Sequence, residues 1–217
     1  MKTEIYKTVY FVRHGESEDN TKAVFQSTES PLSEKGREQA LKIAERASKL
    51  DFQTLISSPY LRAKETAGVI SKATGKEPEY SDLFTERVKP SSINGKPHDN
   101  MEAKATSLKW YESLFSKGIR IEDGENYEDL IARADKVLDF LKNHTEKNLF
   151  VVTHGFFLRV LLLRVVLGSS ITEGNLRNFQ ESAAMKNTGL SVLEYSSWHD
   201  EPPKWRLWVY NDHSHLG

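Results

Sequence analysis

The chain has 217 residues, of which 38% are hydrophobic and 28% are charged, so it can bury a core of its own. Its 30 basic and 31 acidic side chains nearly cancel, which argues against nucleic acid as a partner. It contains no cysteine, which excludes disulfides, cysteine-ligated zinc and a thiol nucleophile.

The apolar runs of the sequence are too short for a membrane-spanning segment. Residues 9–12 near the N-terminus are ended by Arg13, which leaves no room for the core of a signal peptide. The densest run, residues 156–167, is interrupted by Arg159 and Arg164 and is typical of a buried helix. We therefore expect a soluble cytoplasmic protein without a membrane partner, whereas the sequence leaves the oligomeric state open.

The first predicted elements are a strand and a helix. Residues 8–12 are β-branched and aromatic and lack a helical period, as expected of a strand that is covered on both faces. After a polar loop, Ser33 can cap a helix whose apolar side chains recur three or four residues apart between Ala40 and Leu50. A strand followed by a helix predicts a β-α unit.

A second β-α unit follows. The stretch TLISS is a short apolar strand, and either Ser57 or Ser58 can cap the next helix. Pro59 then lies near the first helical position, and Gly75 can end the helix. This assignment places Arg62 in the first helical turn.

The remaining predicted elements continue the alternation. Residues 126–141 carry a helical apolar stripe, and LFVVTHG is another buried strand, which gives way to the next helix at His154. The stretches GLSVLEY and WRLWVY have the β-rich content of closing strands. Strands that alternate with helices predict a largely parallel sheet between helical layers.

Residues 87–124 interrupt this alternation. The segment is polar and contains Pro90, Gly95 and Pro97, followed by a short aromatic patch around Trp110. A long interruption between core elements is often a lid or a binding insert, although a simple surface excursion gives the same pattern. The residues alone leave both interpretations open.

Three candidate groups follow predicted strands at their carboxyl ends, where parallel sheets bind ligands. They are Arg13 with His14, Arg62, and His154. Two guanidinium groups can hold a tetrahedral dianion by paired hydrogen bonds, and a helix N-terminus adds backbone donors. Each histidine is followed by a glycine, which lets the backbone approach a ligand closely. Any one of these residues alone is more often structural, but together they predict a phosphate site.

His14 then has a specific chemical role. A neutral imidazole with one ring nitrogen bonded to the backbone can attack phosphorus with the other, and nearby cations keep it neutral by lowering its pKa. The product would be a phosphohistidine, and the cations would spread the charge of the phosphoryl transition state. A carboxyl group must protonate the leaving oxygen, but spacing cannot select one among 31 acidic residues.

The stretches VRHGESEDN, SPLSEKGREQA, ISSPYLRAKETA and VVTHG occur in this order along the chain. They resemble the RHGE(T/S)xxN, PLTxxGxxQA, SSxxxRAxxTA and second histidine motifs of the histidine phosphatase superfamily, the phosphoglycerate mutase-like proteins. The four motifs cover most of the chain outside the insert. The resemblance is therefore far more specific than a lone RHG would be.

The resemblance implies that His14 is the nucleophile that becomes transiently phosphorylated. The residues that match phosphate-binding positions are Arg13, Arg62, His154 and Gly155 in the inner shell and Ser17 and Asn20 in secondary positions. Glu86, in an L-x-E context, matches the acid/base that protonates the leaving group and then activates water. The resemblance implies no metal and no cofactor.

The same resemblance implies a single domain over residues 1–217 with a three-layer α/β/α sandwich. Its sheet would be mixed, mostly parallel and six-stranded, and residues 87–124 would form a helical cap insertion over the active site. The candidate substrate contacts in that cap are Lys89, Asn94, Lys96, His98, Trp110 and Tyr111. Each of these side chains also has an ordinary alternative role at the surface or in packing.

Two stretches depart from the family pattern. Where the family often has GxxDxPL, this chain has FQSTESPL with Gln26 and Ser30, which puts the phosphate contacts of that loop in doubt. The mutases continue from the acid/base residue as ERxYGxLxG, whereas this chain has ERVKPSSINGK. Because a mutase must hold a second phosphate and exclude water, this difference argues against glycolytic mutase activity. We expect a metal-independent phosphatase acting on a small phosphorylated substrate.

Three alternatives stay open. A phosphotransferase or a phosphoglycerate mutase-type enzyme would pass the phosphoryl group from His14 to an acceptor other than water. A metal-dependent hydrolase could use His14, His154, Glu86 and His98, but the sequence lacks a compact ligand pair such as HxxxH. A non-catalytic phosphate-binding member of the fold would keep the site without turnover. The sequence does not identify the substrate.

Overall fold

The computed structural model describes residues 3–199 and 201–217, which form a mixed β-sheet with helices on both faces. The strands are β1 (Thr3–Arg13), β2 (Thr54–Ser57), β3 (Pro78–Tyr80), β4 (Asn148–Thr153), β5 (Leu190–Trp198) and β6 (Lys204–Asp212). The helices are α1 (Glu18–Thr21), α2 (Glu34–Ala47), α3 (Leu61–Thr74), α4 (Met101–Glu112), α5 (Tyr127–Asn143), α6 (Gly155–Leu167) and α7 (Glu173–Ser182). The expected α/β architecture with a six-stranded mixed sheet is confirmed.

The sheet brings three strand ends together. Its order is β3-β2-β4-β1-β5-β6, with β3, β2, β4 and β1 parallel, β5 antiparallel to β1, and β6 antiparallel to β5. In the register Arg13 lies opposite Thr153, and Ser57 lies opposite Val152. The chain therefore leaves β1, β4 and β2 at neighbouring points of the same end of the sheet.

Both faces of the sheet are covered, which explains why the central strands are apolar without a clear alternation. Along β1, Phe11 packs in the cluster that contains residues of α5 and α6, whereas Val12 packs in the cluster that contains residues of α2 and α3. In β4, Val151 and Val152 divide between the same two clusters. All four side chains are fully buried, so the sheet is the middle of three layers.

The predicted helix starts are confirmed in two cases and wrong in one. Ser33 caps α2 by accepting a 3.0 Å hydrogen bond from the backbone of Gly36, and α5 begins directly after Asn126. Neither Ser57 nor Ser58 caps α3, because Ser57 still belongs to β2 and the Ser58 hydroxyl contacts a histidine side chain. The N-cap of α3 is Tyr60, although Gly75 does end the helix with a φ of 71°.

The segment 87–124 contains α4 and two short 3-10 turns, and it is tied to the loop after α1. Phe25 exchanges two 2.9 Å backbone hydrogen bonds with this segment, one to the Lys96 carbonyl and one from the Gly95 amide. An isolated antiparallel bridge pairs Val24 with Pro97. Backbone hydrogen bonds thus join the polar segment 87–124 to the loop that precedes α2.

Some elements carry too weak a pattern to be predicted from the residues. Helix α4 buries Ala103 while Met101 and Leu108 stay exposed, so it lacks an apolar stripe. The three-residue strand β3 and helix α7 were also not predicted.

Helix α6 matches the apolar run 156–167, and within the described residues no helix has both the length and the apolar character to cross a bilayer.

The close packing of Gly36 against the backbone of Glu16 generates a stability prediction. A Cβ at Gly36 would overlap the Glu16 carbonyl, whereas a Cβ at Gly68 in α3 has no atom within 4 Å. We expect Gly36→Ala to lower the free energy of unfolding by about 1 to 3 kcal/mol, because backbone atoms must move apart. The matched control Gly68→Ala should raise it by about 0.5 to 1 kcal/mol. Urea unfolding measures both, and equal effects would contradict the packing argument.

The C-terminal turn generates a pH prediction. The His215 ring contacts the Thr188 hydroxyl at 3.1 Å and Arg46 at 3.4 Å, and burial together with the Arg46 charge lowers the pKa of His215 to about 4. Between this value and the ordinary pKa near 6.5, the unfolded chain binds more protons at this site. The contribution to stability is therefore complete above about pH 6.5 and is lost as the pH falls towards 4.

His215→Gln cannot titrate, so its unfolding free energy should fall less steeply than that of the wild type between pH 6.5 and 4.5. Chemical unfolding at several pH values measures the two slopes. His213→Gln is the matched control, because it removes an exposed histidine from the same C-terminal turn. Parallel curves for His215→Gln and the wild type would refute the assignment.

Candidate active site

The sequence-predicted residues Arg13, His14, Arg62 and His154 meet at the end of the sheet where β1, β4 and β2 finish. His14 directly follows β1, and its backbone amide donates a 2.9 Å hydrogen bond to the Thr153 carbonyl of β4. His154 directly follows β4, and Arg62 is the second residue of α3. Parallel register thus places the two histidines side by side, and the β2–α3 turn brings the arginine to them.

Arg62 bridges the two imidazoles. Its Nε lies 3.1 Å from Nε2 of His14, and its Nη2 lies 3.1 Å from Nδ1 of His154. The ring centroids of the histidines are 4.9 Å apart. Exposed fractions are 2% for His14, 0% for His154 and 2% for Arg62, so the cluster is buried.

The partners of the ring nitrogens define one tautomer for each histidine. His14 Nδ1 lies 2.6 Å from the Gly15 carbonyl, which only accepts, so Nδ1 carries the proton and the Nε2 lone pair faces Arg62. His154 Nδ1 accepts from Arg62, and its Nε2 donates to the Ser58 hydroxyl at 2.7 Å. Both imidazoles are therefore arranged as neutral rings.

Burial and positive neighbours keep these rings neutral. Burial lowers the pKa of His14 and of His154 well below the ordinary value, and the guanidinium of Arg62 adds to the effect in both cases. Burial also lowers the pKa of Arg62 to about 10, which leaves it charged at neutral pH. The site is a permanent cation between two uncharged nitrogen bases.

Arg13 approaches the cluster from the end of β1. Its Nη1 donates a 2.6 Å hydrogen bond to the Met185 carbonyl, and its buried Nε has no hydrogen-bond partner among the described residues. A Cβ at Gly155 would lie 3.1 Å from both Cδ and Nε of Arg13, so the glycine gives the arginine room at the start of α6. A donor without a partner here is suited to an anion.

Glu86 reaches the same end of the sheet from a separate segment. Its carboxylate accepts backbone hydrogen bonds from Phe156 at 3.1 Å, Phe157 at 2.9 Å and Arg87 at 3.0 Å. The first two donors belong to the first turn of α6, which His154 precedes. Glu86 is thereby fixed at a helix N-terminus. Burial lowers the pKa of Arg13, and the negative charge of Glu86 raises it again in part.

Arg133 holds the backbone that carries Glu86, and the sequence did not indicate it. Its Nη1 donates to the carbonyls of Leu83 and Thr85 at 3.1 and 2.8 Å. Its Nε and Nη2 bind the two oxygens of Glu125 at 2.8 and 2.7 Å, and both partners are mostly buried. The guanidinium also lies 3.6 Å from the ring centroid of Phe157. Arg133 and Glu125 therefore hold the segment that carries Glu86 in place. In the sequence these two residues look like ordinary surface charges.

Ser17 and Asn20, the predicted secondary phosphate contacts, are engaged with each other at the start of α1. The Ser17 hydroxyl donates to the Asn20 side-chain oxygen at 3.0 Å, and it also accepts a hydrogen bond from the Gln26 amide. Arg62 reaches the same loop through a 2.9 Å hydrogen bond to the Ser27 carbonyl. Their contact with phosphate stays a prediction.

A cavity of about 180 Å³ lies beside Arg62 and Glu86. The residues that line it are Gln26, Thr28, Tyr60, Arg62, Glu86, Arg87, Val88, Lys89, Ser91, Asn94 and Asp123. Lys89 and Asn94 of the expected cap contacts therefore face this space. His98 instead packs on Phe25 with centroids 4.6 Å apart, and Trp110 lies over the Arg87 guanidinium.

The arrangement suits anion binding and nucleophilic attack by a ring nitrogen. Two guanidiniums supply donors for a dianion, and the Nε2 lone pair of His14 lies against one of them, Arg62. As for metals, no group of three or more His, Asp or Glu side chains converges as a ligand set within residues 3–199 and 201–217.

Known proteins resemble this chain over nearly its full length. Escherichia coli O1:K1 has a protein called Probable phosphoglycerate mutase GpmB, which is 27% identical over 213 residues, or 96% of this chain and 94% of that one. The protein of the same name from Enterobacter sp. strain 638 is 28% identical over 214 residues, with the same coverage.

Solved structures share the fold. Phosphoserine phosphatase from Entamoeba histolytica, as a variant in complex with phosphoserine, superposes with a TM-score of 0.74 at 23% identity, covering 97% of this chain and 99% of that one. Mycobacterial glucosyl-3-phosphoglycerate phosphatase with VO3 gives a TM-score of 0.71 at 24% identity, covering 95% and 99%. The sequence profile of the histidine phosphatase superfamily (branch 1) matches residues 9–210, and the chain belongs to that superfamily.

Proposed function

We propose that the protein is a phosphatase that hydrolyses phosphomonoesters through a phosphohistidine on His14, without a metal ion. The observation that carries the proposal is the hydrogen bonding of His14. Its Nδ1 proton is fixed on the Gly15 carbonyl, and its Nε2 lone pair is directed at the buried Arg62 cation. A neutral nucleophilic nitrogen beside a guanidinium is what phosphoryl capture requires.

In the first step the substrate phosphoryl group is held by Arg13, Arg62 and His154, with Gly155 leaving space for it. His14 Nε2 forms a bond to phosphorus while the bond from phosphorus to the leaving oxygen breaks. The guanidiniums offset the charge on the transferring oxygens, which is the main source of catalysis in such transfers. Ser17 and Asn20 would complete the phosphate-binding shell once the hydrogen bond between their side chains has broken.

Glu86 supplies the proton that the leaving oxygen needs. In the second step Glu86 takes a proton from water, whose oxygen attacks phosphorus, and the bond to Nε2 breaks. The products are an alcohol, inorganic phosphate and free His14, so atoms and charges balance over the cycle. Backbone hydrogen bonds from Phe156 and Phe157 hold the Glu86 carboxylate at the start of α6, and this position supports the proposed role.

The comparisons support hydrolysis in general terms. Two structural relatives bear the names of phosphatases, whereas the curated relatives bear the name of a mutase. Hydrolysis is favoured for this chain because the segment after Glu86 lacks the mutase pattern ERxYGxLxG. Residues 87–124, as the cap, would select the substrate, since six residues of the cavity wall come from them.

The covalent intermediate gives the first test of this function. During turnover of a ³²P-labelled phosphomonoester, quenching in alkaline detergent followed by alkaline gel analysis should show a label on the wild type that acid treatment removes, as a phosphohistidine requires. His14→Ala should show none and should lose at least about 10³-fold in kcat/KM. His199→Ala is the matched control because this exposed residue follows Trp198, which lies opposite Thr3 at the other end of β1. Label in His14→Ala, or loss of activity on chelation, would refute the proposal.

The leaving group tests Glu86. Without an acid, departure of an alkoxide slows greatly, whereas p-nitrophenolate leaves without help. Glu86→Gln should therefore lower kcat/KM about 10² to 10⁴-fold for glycerol phosphate and less than about tenfold for p-nitrophenyl phosphate. Glu79→Gln, on the exposed face of β3, should change neither rate. An equal loss on both substrates would show that Glu86 has no proton-transfer role.

Transfer to an acceptor is the competing outcome. If the enzyme is a mutase or phosphotransferase, product analysis will show a phosphorylated acceptor in place of inorganic phosphate. If it only binds phosphate, the folded wild type will turn over no phosphomonoester in a metabolite panel.

A further inference from the structure

The loop between α7 and β5 contacts the segment that carries the proposed nucleophile. The Thr188 amide donates a 2.9 Å hydrogen bond to the Arg13 carbonyl, and the Asn187 side-chain amide donates one of 3.0 Å to the His14 carbonyl. The Met185 carbonyl accepts from the Arg13 guanidinium at 2.6 Å. The loop lies outside the four stretches that resemble the superfamily motifs. It holds Arg13 at both ends and His14 by its backbone.

The peptide between His14 and Gly15 is held on both edges. Its amide, from Gly15, donates to the Thr66 hydroxyl at 3.1 Å, and its carbonyl, from His14, accepts from Asn187. The next carbonyl along the chain, that of Gly15, binds the Nδ1 proton of His14 at 2.6 Å. Because rotation of the first peptide would move that carbonyl, Asn187 and Thr66 together fix the acceptor that selects the His14 tautomer.

Contacts with β6 make the loop a fixed support. The Asn211 side chain accepts a 2.9 Å hydrogen bond from the Lys186 amide and donates one of 3.1 Å to the Ala184 carbonyl. The Tyr210 hydroxyl donates to the same carbonyl at 3.0 Å. A Cβ at Gly189 would overlap the Asn211 side-chain oxygen, so a glycine is needed for this contact. Side chains of the last strand thus hold the loop in place.

The backbone of Thr188 shows that surrounding contacts impose this arrangement. Thr188 is fully buried and has a φ of 58°, in the left-handed region that β-branched residues rarely adopt. Its hydroxyl donates a 2.7 Å hydrogen bond to the Asn187 carbonyl and lies 3.1 Å from the His215 ring. Strained backbone of this kind is common near functional sites. Here it accompanies the contacts of the loop with Arg13 and His14.

We propose that Asn187 is a positioning residue for the phosphoryl transfer, which holds His14 in the orientation and tautomer that direct Nε2 at phosphorus. The inference rests on the proposed phosphatase function. Backbone groups of Met185 and Thr188 hold Arg13, so Arg13 keeps these partners when the Asn187 side chain is changed. Since a small displacement of a nucleophile slows bond formation steeply, loss of that side chain should affect attack by His14 more than phosphate binding.

Nuclear magnetic resonance of the resting protein tests the position of His14 without turnover. In the ¹⁵N-histidine-labelled protein, the His14 signal is the one that His14→Ala lacks. The wild-type Nδ1 proton should exchange slowly with water, because it is buried and bonded to the Gly15 carbonyl. In Asn187→Ala the exchange should be at least about tenfold faster, since loss of one buried hydrogen bond loosens the peptide. Asn143→Ala, at the exposed end of α5, is the matched control.

Rapid-quench labelling tests the effect on the reaction. The rate at which His14 takes up ³²P from labelled p-nitrophenyl phosphate should fall about 10- to 10²-fold in Asn187→Ala. The competitive inhibition constant of inorganic phosphate should change less than about threefold, because Arg13 and Arg62 remain in place. Asn187→Leu has a similar volume but no donor. It should give the same two results, and it keeps the test available if the alanine variant is unstable.

The outcomes separate the two proposals. An unchanged exchange rate or an unchanged labelling rate in the Asn187 variants would overturn the positioning role. Equal losses of labelling rate and of phosphate affinity would also overturn it, because that pattern reports general damage to the site. Faster proton exchange in the variants together with no labelling of the wild type would overturn the phosphatase function and leave the positioning of His14 standing.

Discussion

The arrangement of the candidate site depends on the position of one buried guanidinium. Arg62 lies between two imidazoles and hydrogen-bonds to a ring nitrogen of each, so its charge is stabilised by lone pairs and not by a carboxylate. A carboxylate partner would have neutralised the site, whereas neutral bases leave the net positive charge that attracts a dianion. The same charge keeps His14 and His154 unprotonated. The same charge would therefore serve both the proposed binding of phosphate and the proposed nucleophilicity of His14.

A buried cation of this kind needs rigid surroundings that hold its hydrogen-bond partners in place. The strand register fixes the two histidines, and the packed layers on both faces of the sheet fix the start of α3. Around this frame a second buried cation, Arg133, fastens the Glu86 segment by contacts with backbone carbonyls and with Glu125. The proposed nucleophile and the proposed acid thus come from distant parts of the chain, and each is held by a different arginine.

The residues at strand ends could be predicted from the sequence, because a buried strand followed by Arg-His-Gly or His-Gly is recognisable locally. Glu86 could be singled out only through the family resemblance, since nothing in its own surroundings distinguishes it from other carboxylates. Arg133 and Glu125 were missed because their pairing depends on how the chain folds back over the 83–87 segment. The N-cap of α3 was wrong because a tertiary partner, His154, competes for Ser58. Helix α4 lacks the apolar stripe on which prediction depends.

The pairing between the insert and the loop after α1 has a consequence for protein engineering. That loop contributes the Ser27 carbonyl to Arg62 and the Gln26 carbonyl to Lys89, and its neighbour Phe25 is hydrogen-bonded to the insert on both sides. The insert is therefore not a detachable module. Grafting residues 87–124 from another protein without residues 23–28 would leave Arg62 with an altered neighbour, so the two segments should be exchanged together.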